Sequence, residues 1–159
     1  MENESLLKEL EEKFNQLKKE FGFKSSLDDI DLIFFIRDYV LGQRFVSQAL
    51  SRQICSRIVD TYAIWNNYLH TLIMPQPYSL FHNLESGLFD DAEKKEISTL
   101  IKKSMALITT NSIVGLTKDK KLESWFIDEA VNFWKKEFSP ALIKIIKKIN
   151  LGWKESKDK

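Results

Sequence analysis

The sequence predicts an all-α fold: a single compact helical domain of about six helices with a protruding or loosely docked N-terminal helix. The 159 residues include only five glycines and three prolines, whereas an all-β domain of this length needs many tight turns, which these residues usually mark. Apolar residues recur at steps of three and four through most of the chain, the period of an amphipathic α-helix. With 43% hydrophobic and 30% charged residues, the composition is that of a globular domain and not of a disordered or collagen-like chain.

Residues 1–24 are predicted to form the N-terminal helix, followed by a helical domain over residues 25–159. The apolar residues of the first segment form a narrow stripe: Leu7, Leu10, Phe14, Leu17 and Phe21. Gly22 is a typical helix end. Two heptads are too short for a stable coiled coil alone, so this helix either docks on the body of the protein or pairs with a partner's helix.

Residues 26–73 contain no proline and one glycine, Gly42, and are predicted to form two helices. Ser26 with Asp29 resembles a capping box at the start of the first helix. An unbroken helix of about 48 residues would be about 72 Å long, too long for one compact domain. We therefore expect a break near Gly42 and a second helix from about residue 44 to residue 73, whose apolar stripe forms the centre of the core.

Prolines and capping residues divide the rest of the chain. Pro75 and Pro77 end the long helix, because proline lacks an amide donor and restricts the residue before it, and a loop or short helix follows to residue 89. Ser139 and Pro140 are predicted as the N-cap and first residue of the last helix. The remaining helices are predicted from Asp90 to about residues 111–115, from about 121 to 138, and from 139 to Gly152.

The single cysteine and the charged N-terminus predict an intracellular, soluble and cytoplasmic protein. Cys55 has no second cysteine with which to form an intrachain disulfide or a thiolate pair for a metal. The first twenty residues carry ten charges and no apolar run, which excludes a secretory signal peptide. No apolar stretch approaches the roughly 20 residues that span a bilayer.

The sequence predicts no catalytic residue, no metal site and no cofactor. His70 and His82 are the only histidines, and neither is placed against a nucleophile and a carboxylate by the sequence. Glu93 and Glu96 have the i, i+3 spacing of helical Mg²⁺ ligands, which keeps a metal-dependent NTP hydrolase as the least favoured alternative. The four arginines lie near acids in sequence, so internal salt bridges are favoured over an anion site.

Lysines near the C-terminus carry the functional prediction. Residues 93–159 contain fifteen lysines against nine acids, a net charge of +6, and such a surface can contact phosphates. An aromatic ring beside the lysines can stack on a base or pack under the C-terminus. The alternative is a solvated face, because glutamates interleave with the lysines. The candidate residues are Lys94, Lys95, Lys102, Lys103, Lys148 and Trp153.

Two segments resemble the C-terminal domain of the archaeal and eukaryotic DNA primase large subunit. The run Ala130-Val131-Asn132-Phe133-Trp134-Lys135-Lys136-Glu137-Phe138 is similar to one helix of that domain. The second segment comprises Phe81-His82-Asn83-Leu84, then Ser86-Gly87, then Lys94 with Ile97, Leu100 and Ile101. The resemblance implies a helical domain that binds a template-primer end and the initiating nucleotide, with Lys94, Lys102, Lys148 and His82 at or near positions that touch nucleic acid or triphosphate.

The sequence departs from that family at its iron-sulfur cluster. Pro77 stands where the first cysteine ligand is expected, and Cys55 lies outside the matched segments, so the cluster cannot form. The resemblance therefore implies a cluster-free, non-catalytic accessory subunit in DNA replication. Its expected partners are the primase catalytic and large subunits, single-stranded DNA or primer-template, and nucleotide, with no membrane. The alternative is an α-helical protein-interaction module, with the N-terminal helix as its contact.

Overall fold

Residues 1–155 are described by the structure, a computed structural model, and they form an all-α fold. The last four residues of the predicted domain lie outside this described part. Between residues 1 and 155 there is no β-strand, and the predicted fold class is confirmed. The helices are α1 (Glu2–Phe21), α2 (Leu27–Phe34), α3 (Ile36–Gln43), α4 (Leu50–Ile73), α5 (Leu80–Ser86), α6 (Asp91–Thr117), α7 (Lys120–Phe133), a π-helical segment (Trp134–Phe138) and α8 (Ser139–Glu155).

Met1–Thr61 and Leu107–Asn132 form one compact unit, which contains α1 to α3. α1 packs on α3, and its Leu10 and Phe14 are buried. Phe14 also meets Phe23 edge to face, with ring centroids 5.5 Å apart. The N-terminal helix is therefore docked through the apolar stripe that the sequence shows.

A break at Phe35 divides the segment that the sequence predicts as one helix up to Gly42. Phe35 has φ 56° and ψ 43°, the left-handed region that bulky side chains rarely adopt. Asp31 explains the restart of the helix, because its carboxylate accepts hydrogen bonds from the Arg37 backbone N–H at 2.8 Å and the Arg37 guanidinium at 3.0 Å. α3 ends at Gln43, and Arg44 is its left-handed C-cap. The predicted break near Gly42 is therefore confirmed, while the break at Phe35 is an additional one that the sequence did not predict, and α4 begins later than predicted, at Leu50.

Tyr62–Ala106 and the described part of Phe133–Lys159 form the second unit. Its core contains Tyr62, which is fully buried. The ring centroid of Tyr62 lies 6.0 Å from that of Phe133, 5.7 Å from that of Trp134 and 5.0 Å from that of Phe138. This aromatic cluster packs α4 against the end of α7 and the π-helical segment that leads into α8.

The chain does not leave the helical conformation at Ser139, where the sequence predicts an N-cap. Ser139 has φ −62° and ψ −46°, and the π-helical segment Trp134–Phe138 precedes it. Pro140 supplies a physical reason, because its missing N–H and its ring disrupt the regular hydrogen bonds of the preceding turn. After Pro77 the sequence leaves a loop or a short helix open, and the structure has the short helix α5. α6 extends beyond the predicted end to Thr117.

Candidate functional site

Four of the predicted lysines lie on α6, but they do not share one face. Successive residues of an α-helix are about 100° apart. The nine steps from Lys94 to Lys103 therefore place these two side chains about 180° apart, whereas Lys95 and Lys102 are within about 20° of each other. Lys95 and Lys102 are exposed, and neither forms an ion pair within residues 1–155.

Lys103 and Lys148 each bind a carboxylate of the same unit. The Lys103 ammonium lies 2.9 Å from Glu137. The Lys148 ammonium donates to both oxygens of Glu93 at 2.6 and 2.7 Å and lies 5.0 Å from the ring centroid of Phe89. The hydrogen bond from Lys148 is the main reason that the pKa of Glu93 is lowered. Each of these two lysines thus already has a carboxylate partner, with which a phosphate would have to compete.

Trp153 packs on α5. Its indole Nε1 donates to Glu85 at 3.3 Å, and its ring lies edge to face with Phe81 at a centroid distance of 5.8 Å. The Tyr68 hydroxyl donates to the same carboxylate at 2.8 and 3.0 Å, and burial raises the pKa of this phenol. The other predicted residue of this region, His82, belongs to α5, and its Nδ1 accepts from a backbone N–H of the preceding loop at 3.4 Å.

A groove of about 520 Å³ lies between α6 and α8 in the second unit. The two ion pairs Glu93–Lys148 and Glu137–Lys103 lie at its opposite ends. Glu93 and Lys103 are ten residues apart on α6, which corresponds to a groove length of about 15 Å. The apolar residues of its lining are Phe89, Ile97, Leu100, Ala141 and Ile145.

The edges of the groove carry charges of both signs. Glu96 on α6 and Lys144 on α8 line it, and neither forms an ion pair with any residue that the structure describes. With the two end pairs, the lining contains three glutamates and three lysines. The arrangement suits a ligand with an apolar face and flanking charges better than a polyanion.

The groove was not predicted from the sequence, although its lining residues follow a helical period. On α6 the lining positions 93, 96, 97, 100 and 103 recur at helical steps. Position 137 of the π-helical segment and positions 141, 144, 145 and 148 of α8 do the same. Each set mixes charged and apolar residues on one face. Which two helices pair is set by tertiary packing, and the sequence pattern does not contain that information.

The other chemical candidates are occupied by internal contacts. Arg37 pairs with Asp28 at 2.7 Å and Asp31 at 3.0 Å, and the pairs Arg57–Asp60 and Arg52–Glu123 measure 3.8 and 3.2 Å. Pairing with acids nearby in sequence is therefore confirmed for Arg37 and Arg57. Arg52 pairs instead with an acid 71 residues later, and Arg44 forms no ion pair within the described residues. Cys55 is buried, which raises the pKa of its thiol. Among the described residues, no three His, Cys, Asp or Glu side chains form a potential metal site.

No family model, curated protein or solved structure matches the chain. The resemblance to the primase large subunit accordingly depends on the quoted segments alone. In the described part of the chain, every helix is too short or too polar to cross a membrane.

Proposed function

We propose that this protein is a non-catalytic helical binding module whose groove between α6 and α8 receives an amphipathic helix of a partner protein. The observation that carries the proposal is the combination of an apolar floor with charged edges in one open groove. Helices that dock in grooves bind through apolar residues at i, i+3 or i+4 and i+7. A length of about 15 Å accommodates about ten residues of such a helix.

The edge charges define the expected partner more closely. Glu96 stands on the α6 edge and Lys144 on the α8 edge, and both are available for pairing. A docked helix that carries lysine or arginine on the flank beside α6 and an acid on the flank beside α8 would match both edges. The reverse arrangement would place like charges together, so the groove should select one orientation of the partner helix.

Site-specific photo-crosslinking tests this proposal and identifies the partner. A photoreactive amino acid replaces Thr99, which is exposed and lines the groove. The control replaces Lys95, which is exposed on the same helix outside the groove. We expect a crosslinked product at Thr99 that is absent at Lys95, and mass spectrometry should map the linkage to an amphipathic helix. Equal products at both positions, or a linkage to a non-helical segment, would contradict the proposal.

A second proposal follows from Lys95 and Lys102, the two exposed lysines on the same side of α6. Together with the resemblance, they support a nucleic-acid-binding accessory subunit of a primase-type complex, with single-stranded DNA or primer-template as ligand. The two ion-paired lysines, Lys103 and Lys148, contribute less to such a surface than the sequence predicts.

Fluorescence anisotropy separates the two proposals. Labelled single strand and primer-template are titrated at about 50 mM and about 300 mM salt, because phosphate contacts weaken steeply with salt. The nucleic-acid proposal predicts salt-sensitive binding that is lost when Lys95 and Lys102 are both replaced by glutamate. Absence of binding at low salt, or full binding by the double variant, would reject it.

A further inference from the structure

Five large apolar side chains of the second unit are exposed between residues 74 and 84. Their exposed fractions range from 47% for Leu84 to complete exposure for Tyr78. Large apolar residues scattered singly on a surface are ordinary, but a group this dense in one short segment indicates an interaction site. We name this group the α5 surface; its members are Met74, Tyr78, Leu80, Phe81 and Leu84.

α5 is oriented with its apolar residues outward. Ser86 is buried, and its hydroxyl donates to the Leu72 carbonyl at 2.7 Å. Leu80, Phe81 and Leu84 of the same helix face solvent. A helix that served only to cover the core would bury its leucines and expose its serine, so this orientation requires another reason.

Polar contacts hold the α5 surface in place. The Asn83 amide donates to the carbonyl oxygens of Gln76 at 3.2 Å, Pro77 at 3.4 Å and Ser79 at 2.8 Å. The Ser79 hydroxyl caps α5 by accepting from the His82 N–H at 3.2 Å. The loop is thereby fixed beside the helix, and a fixed surface loses little conformational entropy when it binds.

The segment that carries the α5 surface contains no charged side chain, and the first acid after it, Glu85, accepts hydrogen bonds from Tyr68 and Trp153. No Asp, Glu, Lys or Arg occurs from residue 61 to residue 84. Depletion of charge together with aromatic residues and methionine is typical of the core of a protein–protein interface. An anionic membrane is a poor match, since membrane-surface segments are rich in lysine and arginine. Two identical copies of this segment can face each other without like-charge repulsion.

The exposed area fits a dimer. A large side chain presents about 200 Å² when fully exposed, so the five residues leave on the order of 700 Å² accessible. Two copies placed face to face would bury up to about 1,400 Å² in total, within the range of stable, specific interfaces. We propose that the α5 surface pairs with the same surface on a second copy of this chain in a two-fold symmetric dimer.

Analytical ultracentrifugation of the full chain tests the proposal. The expected result is a dimer for the wild type and a monomer for Phe81→Glu, with dimerisation weakened by at least about a hundredfold. Ile64→Glu is the matched control, because Ile64 is a similarly exposed apolar residue on α4 of the same unit, and it should remain dimeric. A monomeric wild type, or equal dissociation by the control, would overturn the proposal.

A disulfide experiment covers the case in which Phe81→Glu fails to fold. Tyr78 is fully exposed, so Tyr78→Cys should leave the fold intact. The proposed dimer places Tyr78, the most exposed member of the α5 surface, at the two-fold axis, so Tyr78→Cys should form a covalent dimer on mild oxidation, while Ile64→Cys should not. Cys55 is buried and does not interfere. Failure of Tyr78→Cys to crosslink more than Ile64→Cys would also reject the interface. Neither experiment depends on the groove between α6 and α8. Failure of the proposed dimer can therefore be distinguished from failure of the proposed function.

Discussion

Replacing Asp128 with alanine is expected to release the connection between α1 and α2. The Asp128 carboxylate accepts hydrogen bonds from the Lys24 N–H at 2.8 and 3.0 Å and from the Ser25 N–H at 2.8 Å. It also accepts from the Ser25 hydroxyl at 2.7 Å. One side chain of α7 therefore fixes two residues that lie 104 and 103 positions earlier in the sequence.

The size of the effect follows from these contacts. A hydrogen bond to a charged group contributes about 1.5–3 kcal/mol, and a buried donor left without a partner is costly. Ser25 is 9% exposed, whereas water can replace the carboxylate at the exposed Lys24. Because the bonds share one acceptor group, their contributions do not add, and we expect a loss of about 2–3 kcal/mol in the free energy of unfolding. For a chain of this size the midpoint temperature should fall by roughly 5–10 °C.

Urea unfolding and amide hydrogen exchange check this prediction. Asp128→Ala should lower the urea midpoint, and the Lys24 and Ser25 amides should lose protection. Glu129→Ala is the control on the same helix, since Glu129 forms no ion pair within the described residues, and its effect should stay below about 0.5 kcal/mol. If Asp128→Ala behaves like the control and the Ser25 amide stays protected, the reasoning is refuted.

Three further predictions concern backbone conformation and pH. Arg44 is exposed with φ 67°, so Arg44→Gly should raise the free energy of unfolding by about 0.5–1 kcal/mol; Gly22, with φ 80°, should show a loss of about 1 kcal/mol on replacement by alanine. The pKa of Glu93 is lowered in the folded state. Its pairing with Lys148 therefore stabilises the protein at pH values above the ordinary glutamate pKa of about 4.3. This contribution is lost as the pH falls through the lower pKa of the folded state. The difference in urea midpoint between wild type and Glu93→Gln should therefore be present at neutral pH and shrink progressively as the pH falls below about 4.3; a difference independent of pH would contradict this.

The fold class was predictable because burial in helices follows a period that the sequence displays. The apolar stripe of the long helix was predicted to form the centre of the core, and its residues Ile54, Ile58, Tyr62 and Leu69 are fully buried. The N-terminal helix was predicted from the same period, but whether it docks or pairs with a partner depends on packing on α3, which no local pattern specifies.

Helix boundaries were less predictable, because they depend on contacts between elements. The break near Gly42 was predicted, and α3 ends at Gln43. The break at Phe35 was not, because Phe35 adopts a left-handed conformation that its side chain disfavours. The conformation of Phe35 is accompanied by a contact of Asp31, whose carboxylate accepts a hydrogen bond from the backbone N–H of Arg37, six residues later. Similarly, Ser139 and Pro140 match the pattern of a helix start, yet the chain stays helical through Ser139, and the π-helical segment before it accommodates the proline.

The candidate site was only partly predictable, for the same reason. The lysines of α6 and α8 were found from composition, but the carboxylates that bind Lys103 and Lys148 are Glu137 and Glu93, which lie 34 and 55 residues away in sequence. Pairing of α6 with α8 creates both the ion pairs and the groove. The sequence thus indicates charge, and the fold decides what that charge contacts.

Titration of the crosslinked partner segment, as a synthetic peptide, into the purified protein tests the groove most directly. Ala141 is half-buried in the groove lining, and Ala141→Arg places a cation on the apolar floor, whereas Ala92→Arg makes the same change at an exposed position of α6 outside the lining. We predict that the peptide becomes helical on binding, that Ala141→Arg weakens binding by at least about tenfold, or 1.4 kcal/mol, and that Ala92→Arg does not. Equal affinity for both variants, or binding without a gain in helix, would contradict the account.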